Sequence, residues 1–202
     1  MSLYPVMLHG EGIVAVVVGG GAVATRRALG LLEAGATVRV VAPQPGDAIR
    51  GAVDERRLRL EARAFVPDDL DGATLVVAAT DDAAVNAEVA RLARARGLLV
   101  NVADRPDAGT FSTAAVHRAG RLVVAVGAGG VPTAAARVRD LIAGRLDARY
   151  ADAIERLAAV RTRLLGSGDA DGWRRAAADL TGPDFAVAVE SGTFAERVRR
   201  WD

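Results

Sequence analysis

The chain has 202 residues, 51% of them apolar and 4% aromatic, and its 26 basic and 25 acidic side chains leave a net charge of +1. That length allows one large domain, or a domain of about 110 residues with a smaller appendage, around a core made mostly of Ala, Val and Leu. A near-neutral balance calls for no nucleic acid, no apolar run approaches the ~20 residues of a membrane span, and with no cysteine there is no disulfide, thiolate nucleophile or zinc–thiolate site.

In chain order, strand and helix patterns alternate. Ile13–Val18 reads as a buried strand that runs into Gly19, Gly20 and Gly21, followed by an amphipathic helix over Ala22–Glu33 with Gly35 as C-cap. The pattern is Gly19-x-Gly21-x-x-Ala24. In a dinucleotide-binding turn the first glycine allows the tight turn out of the strand. The second lets the backbone approach a pyrophosphate, and the small third residue lets the helix pack on the strand. The diphosphate would sit on the unpaired N–H groups of the helix start, including those of Ala22 and Val23.

Thr37–Val41 is the second strand, and Pro43-Gln44-Pro45-Gly46 a loop that also takes in Asp47. Arg57–Phe65 alternates as a more exposed strand, Thr74–Ala79 is a buried strand, Asp82–Arg96 a helix, and Leu98–Val102 another buried strand. This βαβ alternation predicts a Rossmann-like, doubly wound parallel sheet. After Asp104 the character changes. Arg105–Gly109 is a turn, and Phe111–Val116 and Arg121–Val126 are strands joined by His117-Arg118-Ala119-Gly120. Gly127–Gly130 is a second glycine cluster, followed by helices over Ala134–Leu146 and Ala151–Leu165. The tail then reads as two short helices, Asp171–Leu180 and Thr193–Trp201. The expected organisation is a nucleotide-binding domain over 1–110, a small mixed region over 111–150 and a helical region over 151–202.

Ligands of open α/β sheets bind beyond the carboxyl ends of the strands. Two loops fall there. Thr80-Asp81-Asp82 could touch a cofactor through backbone and Thr80, or Asp82 could serve only as a helix N-cap. Asn101-Val102-Ala103-Asp104 ends in a carboxylate that could act as general acid or base, or simply open the Arg105-Pro106 turn. The ribose contact stays open: no acidic residue ends the second strand, Asp47 comes late, and Arg39 or Arg50 would suit a 2′-phosphate. NAD and NADP are therefore not separated by the residues. Every cation is an arginine, a planar fork suited to carboxylates and phosphates. Arg137 and Arg145, eight apart, share a predicted helix face, where they could bind a polyanion or simply be solvated. His9 and His117 stand apart, and no metal-ligating set or hydrolase triad is spaced along the chain.

These motifs resemble the precorrin-2 dehydrogenase/sirohydrochlorin ferrochelatase family, which includes the N-terminal part of siroheme synthases. Tyr4-Pro5-Val6-Met7-Leu8 is similar to its opening, Val17–Pro43 to its nucleotide turn, helix and second strand, Leu75–Asp82 to its LVVAATDD segment, Asn101–Asp104 to its NVxD, and Arg121–Arg137 to the segment ending in its second glycine cluster. The resemblance implies a homodimer, with 111–150 as the dimerisation region. It also implies NAD-dependent oxidation of precorrin-2 to sirohydrochlorin, with insertion of Fe²⁺ as a second activity of some members. It puts the cofactor on Gly19, Gly20, Gly21, Ala22, Val23, Thr80, Asp81, Asn101 and Val102, the catalytic carboxylate on Asp104, and the carboxylate-rich substrate against Arg137 and Phe111. The chain departs from the family pattern at Gln44, Arg105, Ala114, Ala128 and Pro132-Thr133, mostly behind the nucleotide turn, which is intact. Two other readings are a nucleotide sensor without catalysis and an NAD(P) oxidoreductase for another small acid. A cytoplasmic location is expected, since the N-terminus lacks the regions of a signal peptide.

Overall fold

Strands that bury both faces read as near-continuous apolar runs, and four of this chain do. In the computed structural model, which describes residues 3–55 and 57–201, the chain divides into two compact units, Met1–Thr113 and Ala114–Asp202.

The first unit runs β1 (Val14–Val18), α1 (Ala22–Glu33), β2 (Thr37–Val41), α2 (Asp47–Asp54), β3 (Arg59–Glu61), β4 (Leu75–Ala78), α3 (Ala83–Ala95) and β5 (Leu99–Val102). The five strands form one parallel sheet in the order β3-β2-β1-β4-β5. Alternate residues of each strand point to opposite faces. Ala15, Val17, Val38, Val40, Leu75 and Val77 pack on one side with Ala24 and Ala28 of α1 and Ile49 and Ala52 of α2. On the other, Val16, Val18, Val76, Ala78, Val100 and Val102 pack with Val89, Ala90 and Ala93 of α3. Helices cover both faces, as the doubly wound reading requires.

Three details of this unit differ from expectation. Residues 47–54 form a helix, so Asp47, expected in a loop, is the first residue of α2. The third strand keeps only three residues, because Arg63 leaves the ladder to pair with Asp69. Arg39 lies within β2 and its guanidinium donates to the carbonyls of Asp69 and Asp71, so it is committed to the sheet and not offered to a ribose phosphate.

The second unit opens with a hairpin, β6 (Ala115–Ala119) and β7 (Leu122–Val126), paired antiparallel from Ala115↔Val126 to Ala119↔Leu122. The turn is only Gly120-Arg121, with Gly120 at φ 56°, so His117 to Ala119 belong to the strand and not to the link. The first of these strands also begins four residues later than expected, which leaves Phe111 in the preceding loop. His117 Nε2–H donates to the Leu146 carbonyl at 2.9 Å, a structural bond.

Helices α4 (Pro132–Ala143), α5 (Ala148–Gly166), α6 (Ala170–Leu180), α7 (Phe185–Ser191) and α8 (Phe194–Val198) follow, with a 3-10 turn over Arg199–Trp201. α4 stops at Gly144, so Arg145 lies past its end and shares no helix face with Arg137. The tail carries α7 in addition to the two expected helices. Tyr150, Leu157, Val160, Leu180, Val189, Phe194 and Val198 fill this unit's core, with Phe185 edge-on to both Tyr150 and Phe194. No helix among the described residues is long and apolar enough to cross a membrane.

Candidate functional site

The sheet order reverses between β1 and β4: β2 and β3 lie to one side of β1, β4 and β5 to the other. A crevice opens beyond the strand ends at such a point. The residues at those ends are Gly19 after β1, Ala42 and Pro43 after β2, Ala79 and Thr80 after β4, and Ala103 and Asp104 after β5.

Packing explains the glycines. Gly19 has φ +127°, and a Cβ there would lie 2.2 Å from the Ala79 carbonyl oxygen. A Cβ on Gly20 would lie 2.3 Å from the Gln44 carbonyl oxygen. The turn is thus wedged between the loops that follow β2 and β4, and Gly46 N–H donates back to Gly20 at 3.0 Å. Gly21 is different: a Cβ there would meet nothing within 4 Å. It caps α1 with no side-chain bond, and the first backbone bond of the helix runs from Thr25 N–H to Gly21. The N–H groups of the first turn come before that bond, and Gly21, Ala22 and Val23 are exposed there. That arrangement fits a diphosphate.

On the far side of the crevice, Asp82 accepts from Ala84 N–H (2.8 Å) and Val85 N–H (3.3 Å) and so caps α3. Asp81 is exposed beside it. The Thr80 hydroxyl supports that cap by accepting from the Asp82 N–H at 3.2 Å. The Thr80 N–H donates to Asn86 Oδ1 at 3.0 Å, and the single Thr80 hydroxyl proton has two acceptors in reach, Asn86 Oδ1 at 2.8 Å and the Asp82 carbonyl at 3.0 Å. Asn86 Nδ2 donates to the Thr80 carbonyl at 3.0 Å and to Asp104 Oδ1 at 3.1 Å. The Asp104 carboxylate is exposed and does not cap the Arg105–Gly109 turn, whose 3-10 helix has no side-chain cap. Asn86 was not singled out from the sequence. Its signal is spacing: Asn86, Val89, Ala90 and Ala93 form one buried face of α3, and an amide on such a face needs partners.

Asn101 is 5% exposed; its Nδ2 donates to the Phe111 carbonyl at 3.1 Å, while its buried Oδ1 has no hydrogen-bond partner among the described residues. A buried acceptor without a donor fits a site that a ligand completes. Val102 points into the core against α3, so only its backbone faces the rim. Phe111 packs partly buried against the core on the α1 side. Arg50 Nε is bound to the Pro45 carbonyl, while Gln44 stands exposed at the end of β2. Gly19 to Val23, Thr80, Asp81, Asn101, Val102, Asp104 and Phe111 thus all belong to the first unit. Arg137 is exposed on α4 of the second. Among the described residues no three His, Asp or Glu side chains are grouped to hold a metal ion.

Residues 6–115 match the model of a family described as "Putative NAD(P)-binding". The chain is 41% identical over 151 residues to a siroheme synthase of Methylobacillus flagellatus, covering 74% of this chain and 32% of that one. It is 40% identical over 164 residues to a siroheme synthase of Pseudomonas aeruginosa, covering 81% and 35%. The chain spans about a third of the length of these curated relatives. Among solved structures, "SirC, precorrin-2 dehydrogenase" matches with a TM-score of 0.77 and 26% identity, over 98% of this chain and 100% of that one. The resemblance carried by the motifs is borne out by these relatives, as is the Rossmann-like architecture. With more than half of its length matched by the family model, the chain belongs to this NAD(P)-binding family.

Proposed function

We propose that the protein is an NAD-dependent precorrin-2 dehydrogenase that forms sirohydrochlorin in siroheme biosynthesis. The observation that carries the reading is a single rim, at the sheet's switch point, that holds both an open, glycine-built helix N-terminus and a carboxylate fixed by a buried amide. The names and coverage of the relatives, one of them matched from end to end, support the same activity.

The backbone of Gly19, Gly20, Gly21, Ala22 and Val23 holds the diphosphate of NAD, with Thr80, Asp81, Asn101 and Val102 bordering the rest of the cofactor. NAD supplies the acceptor for the hydride that precorrin-2 loses. Asp104 takes the proton that leaves the macrocycle in the same oxidation, so that two electrons and two hydrogens depart in all. Phe111 and Arg137 engage the macrocycle and its carboxylates, Arg137 as a planar fork. Orientation is the larger part of the protein's contribution, because cofactor and substrate bring the reactivity. We also assign the second unit to homodimer formation. A two-stranded hairpin is marginal alone, and Val116, Val131, Val138 and Leu141 are exposed around it. The enzyme would work in the cytoplasm, and Fe²⁺ would be the substrate of any second, metal-inserting activity.

The test is anaerobic incubation with precorrin-2 and NAD⁺, following NADH and the sirohydrochlorin spectrum, with Asp104→Ala alongside. Turnover that falls by at least 100-fold in the variant is expected, on the scale of a lost general base. Absence of turnover in a protein that still binds NAD⁺ would leave a sensor or an enzyme for another substrate. Fe²⁺ added to the same cuvette reads out metal insertion.

A further inference from the structure

Asn86 is 1% exposed, and its side chain is saturated. Nδ2 donates two hydrogen bonds, and Oδ1 has two donors in reach, the Thr80 N–H and the Thr80 hydroxyl that it shares with the Asp82 carbonyl. Three of the four go to Thr80, on the loop after β4, which a structural clip would need. The fourth crosses to Asp104, after β5. Among the described residues it is the only hydrogen bond to the Asp104 side chain, and it occupies Oδ1, leaving Oδ2 without one. The neighbouring cation, Arg105, turns instead toward Asp107 at 3.5 Å.

We infer that Asn86 is the positioning residue for Asp104. It pins Oδ1 so that Oδ2 is the oxygen presented to substrate, and it ties that carboxylate to the loop that borders the cofactor. This rests on the reading of Asp104 as the proton acceptor. The physical argument is one of freedom. An exposed Asp on a loop samples several rotamers, and proton transfer needs one of them. A donor mounted on α3, with its own acceptor side held by the Thr80 N–H and its Nδ2 also held on the Thr80 carbonyl, selects that rotamer before substrate arrives. The same amide spans both loops, so it also sets the separation between the proton acceptor and the cofactor-bordering backbone of Thr80.

Two variants and two readouts test this. Asn86→Leu removes every polar atom of the clip, and Asn86→Asp keeps the shape and the acceptor facing Thr80 N–H while replacing the donor that serves both Asp104 and the Thr80 carbonyl. In the ¹⁵N spectrum of the cofactor-free protein, the side-chain NH₂ pair of Asn86, assigned by its loss in Asn86→Asp, should move in Asp104→Ala. In anaerobic turnover, both Asn86 variants should lose about 10- to 100-fold in kcat, the scale of a misplaced catalytic group, with KM for precorrin-2 within about twofold. An unmoved NH₂ pair, or wild-type kcat in the folded Asn86→Asp protein, would overturn the inference even if Asp104→Ala is inactive. A fully active Asp104→Ala enzyme would instead remove the reading of Asp104 itself, and the inference with it.

Discussion

Three consecutive glycines stand in the turn, and each meets a different physical demand. Gly19 needs a positive φ and a close approach to Ala79, and Gly20 needs a close approach to Gln44, so substitution at either must move backbone. Gly21 has φ −76° and open space where its Cβ would be. Gly21→Ala should therefore keep the fold, with a stability loss of no more than about 1 kcal/mol from the poorer N-cap. It should also place a methyl where the diphosphate approaches the helix, weakening NADH binding by at least about tenfold. Gly20→Ala should lose stability as well, by about 1–3 kcal/mol, since the clash is with backbone. Thermal melts and NADH fluorescence titration separate the two. Equal loss of stability in both would contradict the division of labour drawn here. At this scale the glycines are legible because their residue type restricts what the chain can do, whereas Asp104 stands out only through the resemblance of Asn101–Asp104, its residue type alone leaving a turn-opening role open. Asn86 is not legible, since an asparagine inside a helix carries no motif and its partners come from loops 6 residues before and 18 after it.

The elements show why some boundaries were readable and others were not. α1 and β2 match the periodicity residue for residue, because apolar spacing and glycine punctuation coincide there. α2 holds only eight residues, with Gly51 inside it, and opens after Pro-Gln-Pro-Gly, so local signals favour a loop and the burial of Ile49 and Ala52 decides otherwise. β3 ends early because of one ion pair. Arg63 reaches Asp69 through two hydrogen bonds, at 2.9 and 2.7 Å, and the Val66 N–H adds a third at 2.8 Å. The Arg63 hydrogen bonds hold the Asp69 carboxyl below its ordinary value of 3.8 against the opposing effect of burial, helped by the Val66 N–H and the charges of Arg63 and Arg39. The sign follows: with its folded pKa depressed, Asp69 contributes stability above the ordinary carboxylate range and loses it as pH falls through the lower folded value. Asp69→Asn should lower stability at neutral pH by about 1–2 kcal/mol, a modest figure because Arg63 is half-exposed. The gap between variant and wild type in urea unfolding should narrow below the ordinary carboxylate range. A gap of constant size from neutral pH down to about 2 would show that the charge is not its source.

At the scale of the whole molecule, each unit has a core of its own. Both clusters on the parallel sheet draw on residues up to Phe111, and the third begins at Leu122. The alternation of strand and helix made the first unit readable, whereas the second mixes a hairpin with helices of 5 to 19 residues that meet through aromatic contacts of Phe185 with Tyr150 and Phe194, a pairing that no local pattern shows. The division has a functional consequence. Residues 1–113 contain every backbone group assigned to the cofactor, Asp104 with its Asn86 clip, and helices on both faces of the sheet, whereas Arg137 lies outside them. Expressed alone, that segment should fold cooperatively, since each sheet face keeps its helices, and bind NADH within about threefold of the full chain. It should not turn over precorrin-2, because it lacks the arginine assigned to the substrate carboxylates. Circular dichroism establishes folding, fluorescence titration the cofactor affinity, and the anaerobic assay the loss of turnover. A folded segment that fails to bind NADH would mean that the second unit supplies part of the cofactor site. A segment that oxidises precorrin-2 at the full rate would remove Arg137 from substrate binding and place the whole reaction on the sheet's own rim.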